Sequence, residues 1–312
     1  MVSGPVIRTE RLTKFYRVGM ARRKIEAVVE LDLEVGKGEI FAFIGLNGAG
    51  KTTTIKLLLD HAKPTAGKAY LFDIDARNSR ARSKVGYLPD LPYFYRFLTA
   101  RELLDYFGRL FGLSRSDRRE RTGRLLGLVG LDGRADEPLK GFSRGMLQRL
   151  GLAQALINDP ALVILDEPLG GLDPIGRVEL REVIAGLKKE GRTVFFSSHI
   201  LDDAQRIADR VGIIHHGRML ACGSLGELLA VDPGWEVELE APGDIDLEAV
   251  CRQHGWRRES RDGRHYIYIP DDEGLREFFK LASDGQIRPQ AMGRRRVDLE
   301  EAFLAELGRW RG

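Results

Sequence analysis

The chain has 312 residues, 43% of them hydrophobic and 8% aromatic, enough apolar material for one large buried core or two unequal ones. Its net charge of +3 is too small to imply nucleic acid, and the arginine clusters at Arg22 to Lys24, Arg115 to Arg124 and Arg294 to Arg296 read as solvated faces. No apolar run approaches the roughly eighteen residues of a membrane span, and Cys222 and Cys251 form neither a disulfide framework nor a metal-ligand spacing, so a membrane-spanning chain and a disulfide-stapled scaffold are both excluded.

The first residues, MVSGPVIRTERLTKFY, carry charges at Arg8, Glu10 and Arg11 and no continuous apolar segment, which argues against a signal peptide and for a cytoplasmic chain. Up to about Gly38, VIRTERLTKFY and AVVELDLEV alternate apolar and polar residues as half-exposed antiparallel strands do. From Glu39 the texture changes: EIFAFI is a short, wholly apolar run of the buried-strand kind. A glycine-rich turn follows, and then TTTIKLLLD, where Ile55, Leu58 and Leu59 mark one helix face. Residues from about 91 to 157 are predicted to be mostly helical, with TARELLDYFGRLFGL the clearest amphipathic piece. Within that stretch GFSRGMLQRL has the form of a helix start in which Ser143 is the N-cap, yet it carries Arg144 at the end of the helix that is already positive, which calls for an anion nearby. ALVILD and TVFFSSH repeat the buried-strand texture, each ahead of a helical segment, which is the α/β pattern of parallel strands wrapped by helices. After about Gly226 the sequence turns to a small mixture: WEVELEAP, a helix near Asp246 to His254, HYIYIP, a helix near Leu275 to Ala282, and DLEEAFLAEL. The expected division is therefore 1–226 and 227–312, with Pro233 and Gly234 at the linker.

GLNGAGKTT, Gly45 to Thr53, satisfies the pattern G-x-x-x-x-G-K-[ST] and lies after a buried strand and at the opening of a helix. Gly45, Gly48 and Gly50 free successive backbone N–H groups to turn toward a phosphate, the helix N-terminus adds its dipole, and Asn47 and Thr53 belong to the same loop. Lys51 is placed for the β- and γ-phosphates of a nucleoside triphosphate and Thr52 for Mg²⁺. LVILDEP supplies the complementary half: a core strand, then Asp166 to reach the Mg²⁺ through water and Glu167 as a candidate general base.

In order and spacing these segments resemble the ATP-binding cassette (ABC) family. The chain has the P-loop, VGYLPD where that family has its glutamine-bearing loop, FSRGMLQRL at its signature, LVILDEP, GGLDP at Gly170 to Pro174 as its aspartate-bearing loop, and FFSSH ending in His199, all within roughly the first 220 residues. The resemblance implies an α/β P-loop NTPase cassette with a parallel core sheet, an N-terminal antiparallel β subdomain and a helical insertion. It also makes Tyr16 the aromatic that stacks on adenine and His199 the histidine that contacts the γ-phosphate. Asp173 becomes the aspartate that communicates between two facing sites, although a cap for a helix beginning at Pro174 explains an aspartate there equally well. Two departures stand out. Asp90 occupies the glutamine position, where a carboxylate can still hold a hydrated cation, and the signature keeps Ser143 and Gly145 but substitutes Arg144 and Met146. Acidic residues at the former position are similar to those in ATPases of type-2 exporters, and the small α+β C-terminal domain resembles the one appended to such proteins.

The function so implied is that of the ATP-hydrolysing motor of an exporter, with ATP and Mg²⁺ as cofactors, working beside a separate integral-membrane permease and a second cassette, each ATP lying between one P-loop and the opposite signature helix. The chain would then sit in the cytoplasm, peripheral on the inner face of the membrane, with LPYFYRFLTAREL as the surface for the permease and no nucleic acid as partner. Readings as a soluble ATPase of ribosomes or DNA fit less well, because the chain has one cassette and no long coiled coil between the P-loop and the acidic strand. A solute importer would differ only in its partner and C-terminal domain.

Overall fold

The computed structural model describes residues 4–19, 23–229, 234–240, 246–261, 264–284, 287–294 and 299–311. Pro233 of the expected linker lies outside them. The chain divides into two compact units, residues 1–225 with 306–312, and residues 226–305.

The first unit opens with two long strands, β1 (Ile7–Val18) and β2 (Arg23–Val35), paired antiparallel with several bulges. The alternating stretch AVVELDLEV does bury every second residue at its end, Leu31, Leu33 and Val35, as the period-2 pattern requires. Next come β3 (Ile40–Ile44), α1 (Lys51–Leu58), β4 (Ala66–Leu71), the two-residue β5 (Ile74–Asp75) and β6 (Val85–Leu88). Strands β2, β1, β4 and β5 form an antiparallel sheet in that order.

The helical segment follows as α2 (Ala100–Leu110), α3 (Arg115–Leu128) and α4 (Arg144–Ala155). Regular helix begins nine residues later than the expected 91, because Thr99 makes a full capping box with Glu102 and so fixes the first turn there. Helix α2 stops at Leu110, short of the full amphipathic stretch, where Gly112 turns at φ +72°.

The parallel core is completed by β7 (Leu162–Leu165), α5 (Pro174–Lys189), β8 (Thr193–Ser198), α6 (Leu201–Ile207), β9 (Arg210–His215) and β10 (Arg218–Ser224). The six-stranded sheet runs β10-β9-β3-β8-β7-β6, all parallel except the hairpin strand β10. Strands β3, β7 and β8 are buried along their whole length, which explains why they read as continuous apolar runs. Phe41 stacks on Phe195 at 5.7 Å across the β3/β8 pair at the centre of this core. The carboxyl ends of β3, β7 and β8 all deliver their chains to one edge, the place where ligands bind in open parallel sheets.

The second unit starts within the short α7 (Leu225–Leu228) and contains β11 (Trp235–Leu239), α8 (Leu247–His254), β12 (Arg257–Arg261), β13 (Arg264–Ile269), α9 (Asp272–Ser283) and β14 (Pro289–Arg294), then the start of α10 (Leu299–Arg311). Its sheet is antiparallel in the order β12-β13-β11-β14. Helix α8 is capped by Asp246, whose carboxylate accepts from the backbone of Glu248 and Ala249, and it ends on Gly255 in the left-handed region. Val237, Leu239, Trp256, Ile267, Ile269 and Phe278 form a core of its own.

Candidate active site

The loop from Gly45 to Gly50 leaves β3 and enters α1 under tight backbone constraint. A Cβ on Gly45 would stand 2.3 Å from the Ile214 carbonyl oxygen, and one on Gly50 2.4 Å from that of Ala27, so β9 and β2 press on the loop from outside. Gly50 is also the N-cap of α1 at φ +115°, a conformation that side chains rarely adopt. Asn47 and Gly48 are exposed and Thr53 is half-buried. Lys51 folds back over the loop it follows and is only 6% exposed. Its Nζ donates to the carbonyl oxygens of Gly45 at 2.7 Å and Leu46 at 3.3 Å, and lies 3.1 Å from Oε1 of Glu167.

Asp166 is the first residue past β7 and is 1% exposed. Its Oδ1 accepts from the hydroxyls of Ser197 at 2.7 Å and Thr52 at 3.2 Å. Burial pushes the Asp166 carboxyl above the usual carboxylate range; the two hydroxyls pull it down, and the charges of Glu167 and Asp90 push it up again. Glu167 sits at φ +50°, a strained backbone for a residue with a side chain, and its N–H donates to Ser197 Oγ at 2.9 Å. That turn swings its carboxylate between two side chains: Oε1 toward Lys51, and Oε2 to Nδ1 of His199 at 2.8 Å with the His199 backbone N–H at 3.3 Å. Lys51, Thr52, Asp166, Glu167 and His199 are thus one cluster. Ser197, which the sequence reading did not single out, ties both carboxylate residues to β8. Its signal was a serine inside a strand buried at every position.

The remaining predicted residues lie elsewhere. Ser143 is the N-cap of α4, accepting from the Met146 N–H at 3.2 Å, and Asp173 is the N-cap of α5, accepting from the Gly176 N–H at 2.7 Å, with Pro174 in the first turn. Both helix starts, with Gly145, line a second cleft of about 460 Å³ that also carries Arg134, Arg144 and Arg149. A cleft with three arginines and two helix N-termini suits an anion. Asp90 is half exposed, with Arg144 at 3.9 Å. Tyr16 is half-buried in β1 opposite Ile25, with Lys14 Nζ 5.1 Å from its ring centre.

Residues 28–170 match the family model described as ABC transporter. The chain is also 40% identical over 309 residues to an uncharacterized ABC transporter ATP-binding protein of Synechocystis sp., covering 98% of this chain and 86% of the relative. The chain belongs to the ABC transporter ATP-binding proteins. This ATP-binding protein is further 36% identical over 286 residues to the Nod factor export ATP-binding protein I of Cupriavidus metallidurans, across 90% of this chain and 92% of that one. Among solved structures it is similar to the dimeric structure of a bacterial ABC transporter cassette, with 26% identity and a TM-score of 0.65, covering 70% of this chain and 98% of the other. Membership of the family makes it an ATP-binding subunit and an ATPase, and bears out the expected α/β P-loop cassette fold. Among the described residues no helix is long and apolar enough to cross a membrane.

Proposed function

We propose that this ATP-binding protein is the motor of an exporter, working as two copies arranged head to tail beside a separate integral-membrane permease. The observation that carries the reading is the line Lys51, Glu167, His199, with Thr52, Asp166 and Ser197 alongside it. Backbone N–H groups from Asn47, Gly48 and Gly50, with Lys51, Thr52 and Thr53, cradle the triphosphate, while Gly45, whose N–H donates to the Ser198 carbonyl oxygen, lets the loop pack against β9. Lys51 exchanges two carbonyl oxygens and Glu167 for the β- and γ-phosphates, where its charge is better matched. That exchange releases Glu167, which His199 still orients, to act as general base toward a water. Tyr16 stacks on the adenine.

The donor set fits a hard divalent cation: a buried carboxylate and a hydroxyl already in contact, Asp166 and Thr52, with Asp90 close enough to act on the Asp166 carboxyl. Mg²⁺ held by these residues would supply charge neutralisation at the phosphates. Ser143, Gly145 and the start of α4 meet the γ-phosphate of the ATP held by the other copy, and Asp173 links the two sites. The dimeric cassette to which the chain is similar supports that arrangement.

Export is favoured by the Nod factor export relative, because the similarity extends beyond the cassette into the C-terminal part. The cassette lies in the unit that runs to residue 225, and residues 226–305 make a C-terminal domain for self-association or regulation. The permease docks beside the exposed Leu91, Tyr93, Tyr95 and Phe97 ahead of α2, which holds the protein on the cytoplasmic face of the membrane; nucleic acid has no part in this scheme.

The test is Glu167→Gln. Steady-state ATPase activity should fall by at least about 100-fold, while a fluorescent ATP analogue still binds and ATP produces a stable dimer in light scattering. Normal turnover in that variant would remove Glu167 as the base.

A further inference from the structure

Asp90 and Arg144, the departures from the family pattern at the glutamine and signature positions, are brought to one place by the fold. Arg144 is the first residue of α4, and no acidic residue stands in that first turn, so its charge occupies the end of the helix where a cation is disfavoured. Two neighbours meet it there. One guanidinium nitrogen stands 3.9 Å from Oδ1 of Asp90, in the loop after β6. The guanidinium also lies on the bare backbone of Gly171, where a Cβ would come within 2.7 Å of its Cζ. One side chain therefore joins the loop after β6, the start of α4 and the turn between Glu167 and Asp173. The other two arginines of the cleft are engaged elsewhere, Arg134 with Glu137 and Arg149 with Glu179. The Asp90 pair is long and half exposed at both ends, the kind that contributes little and exchanges easily.

We propose that the Asp90–Arg144 pair is an exchangeable latch: in the nucleotide-free chain it parks Arg144, and on closure with a second copy Arg144 leaves Asp90 for the terminal phosphate of the ATP held by that copy's P-loop. The inference rests on the two-copy closure argued above. A phosphate carries more charge than a carboxylate and accepts the planar guanidinium fork through two oxygens, so the exchange runs toward the nucleotide. It also couples the two sites. Arg144 reads the ATP of one copy, while the Asp90 it releases lies in the loop after β6 of its own chain, just past Leu88, whose carbonyl oxygen accepts from the Asp166 N–H at 2.8 Å.

The experiment uses the full chain with Glu167→Gln, reading by light scattering the ATP concentration that gives half-maximal dimer. Adding Arg144→Ala should raise that concentration at least about tenfold, the loss of one charged hydrogen bond. The affinity of the monomer for a fluorescent ATP analogue and its melting temperature should stay the same. Arg144→Lys should recover part of the loss, since it keeps the charge without the fork. Because Asp90 also stands beside the Mg²⁺ position, the latch is read from the coupling: Asp90→Asn should shift the ATP requirement toward lower concentration more when Arg144 is present than when it is alanine. An unchanged ATP requirement in Arg144→Ala, or an Asp90→Asn effect that is the same with and without Arg144, overturns the latch. If Glu167→Gln alone stays monomeric at saturating ATP, two-copy closure itself fails, and the latch falls with it.

Discussion

Ser197 shows how a small residue can set the chemistry of two larger ones. Its hydroxyl donates to Asp166 Oδ1 and accepts from the Glu167 N–H, so it holds one carboxylate directly and the strained turn of the other through the backbone. Ser197→Ala leaves a buried carboxylate with one fewer donor and a buried N–H without its acceptor, at a cost of about 1–3 kcal/mol in chemical denaturation. The Ser197 bond lowers the Asp166 pKa against the burial that raises it. Without it the Asp166 of the nucleotide-free chain keeps its proton to higher pH, so the acid limb of the kcat/KM profile should move upward in pH. A profile that only drops in height, with its acid limb in place, would mean that Ser197 acts on the turn at Glu167 alone. That Lys51, Asp166 and Glu167 gather at one place was legible because they stand in two motifs, each at the end of a buried strand. Ser197 was not, because its role depends on the β7/β8 register, which pairs Leu165 with Phe196 and so sets Ser197 beside Asp166.

Elements were legible where burial is uniform and illegible where pairing alone makes the strand. Strands β3 and β7 announce themselves as apolar runs, since both of their faces are covered. Strands β12 and β14 are exposed at every residue, and RRESR and PQAMGR carry no period to read; their state comes from ladders to β13 and β11. The same dependence on neighbours fixes Gly86 in β6. A Cβ there would lie 2.0 Å from the carbonyl oxygen of Ala155 at the end of α4, so the strand that leads to Asp90 and the helix that starts at Ser143 touch through bare backbone. Gly86→Ala must push these two elements apart. The expected cost is about 1–3 kcal/mol, as for other overpacked contacts. ATP binding to the monomer should survive, because the P-loop is on β3 and α1, whereas ATP-driven dimer formation should weaken as the signature helix shifts. Wild-type stability in that variant would show that α4 can move without penalty.

At the scale of the whole molecule the two units bury separate cores. Phe41, Phe43, Ile55 and Phe195 belong to one, and Val237, Trp256, Ile267 and Phe278 to the other, with no residue shared among the described residues. The change in texture near Gly226 is the sequence trace of that change of core, and it was visible because the P-loop motifs end before it and a second set of alternating strands begins after it. A core that is self-contained should be damaged alone. Phe278 is fully buried and contacts Trp256 with ring centres 5.9 Å apart. Phe278→Ala should cost the second unit about 3–5 kcal/mol, a large part of the total for a unit of this size. Calorimetry of the full chain should then show one transition moved down and another, stabilised by ATP, in place. Nucleotide binding should be retained at temperatures where the lower transition is complete, and any change in steady-state turnover would measure how far the C-terminal domain governs the motor. A single transition that shifts as a whole, with ATP binding lost alongside, would mean that the two cores fold as one cooperative body.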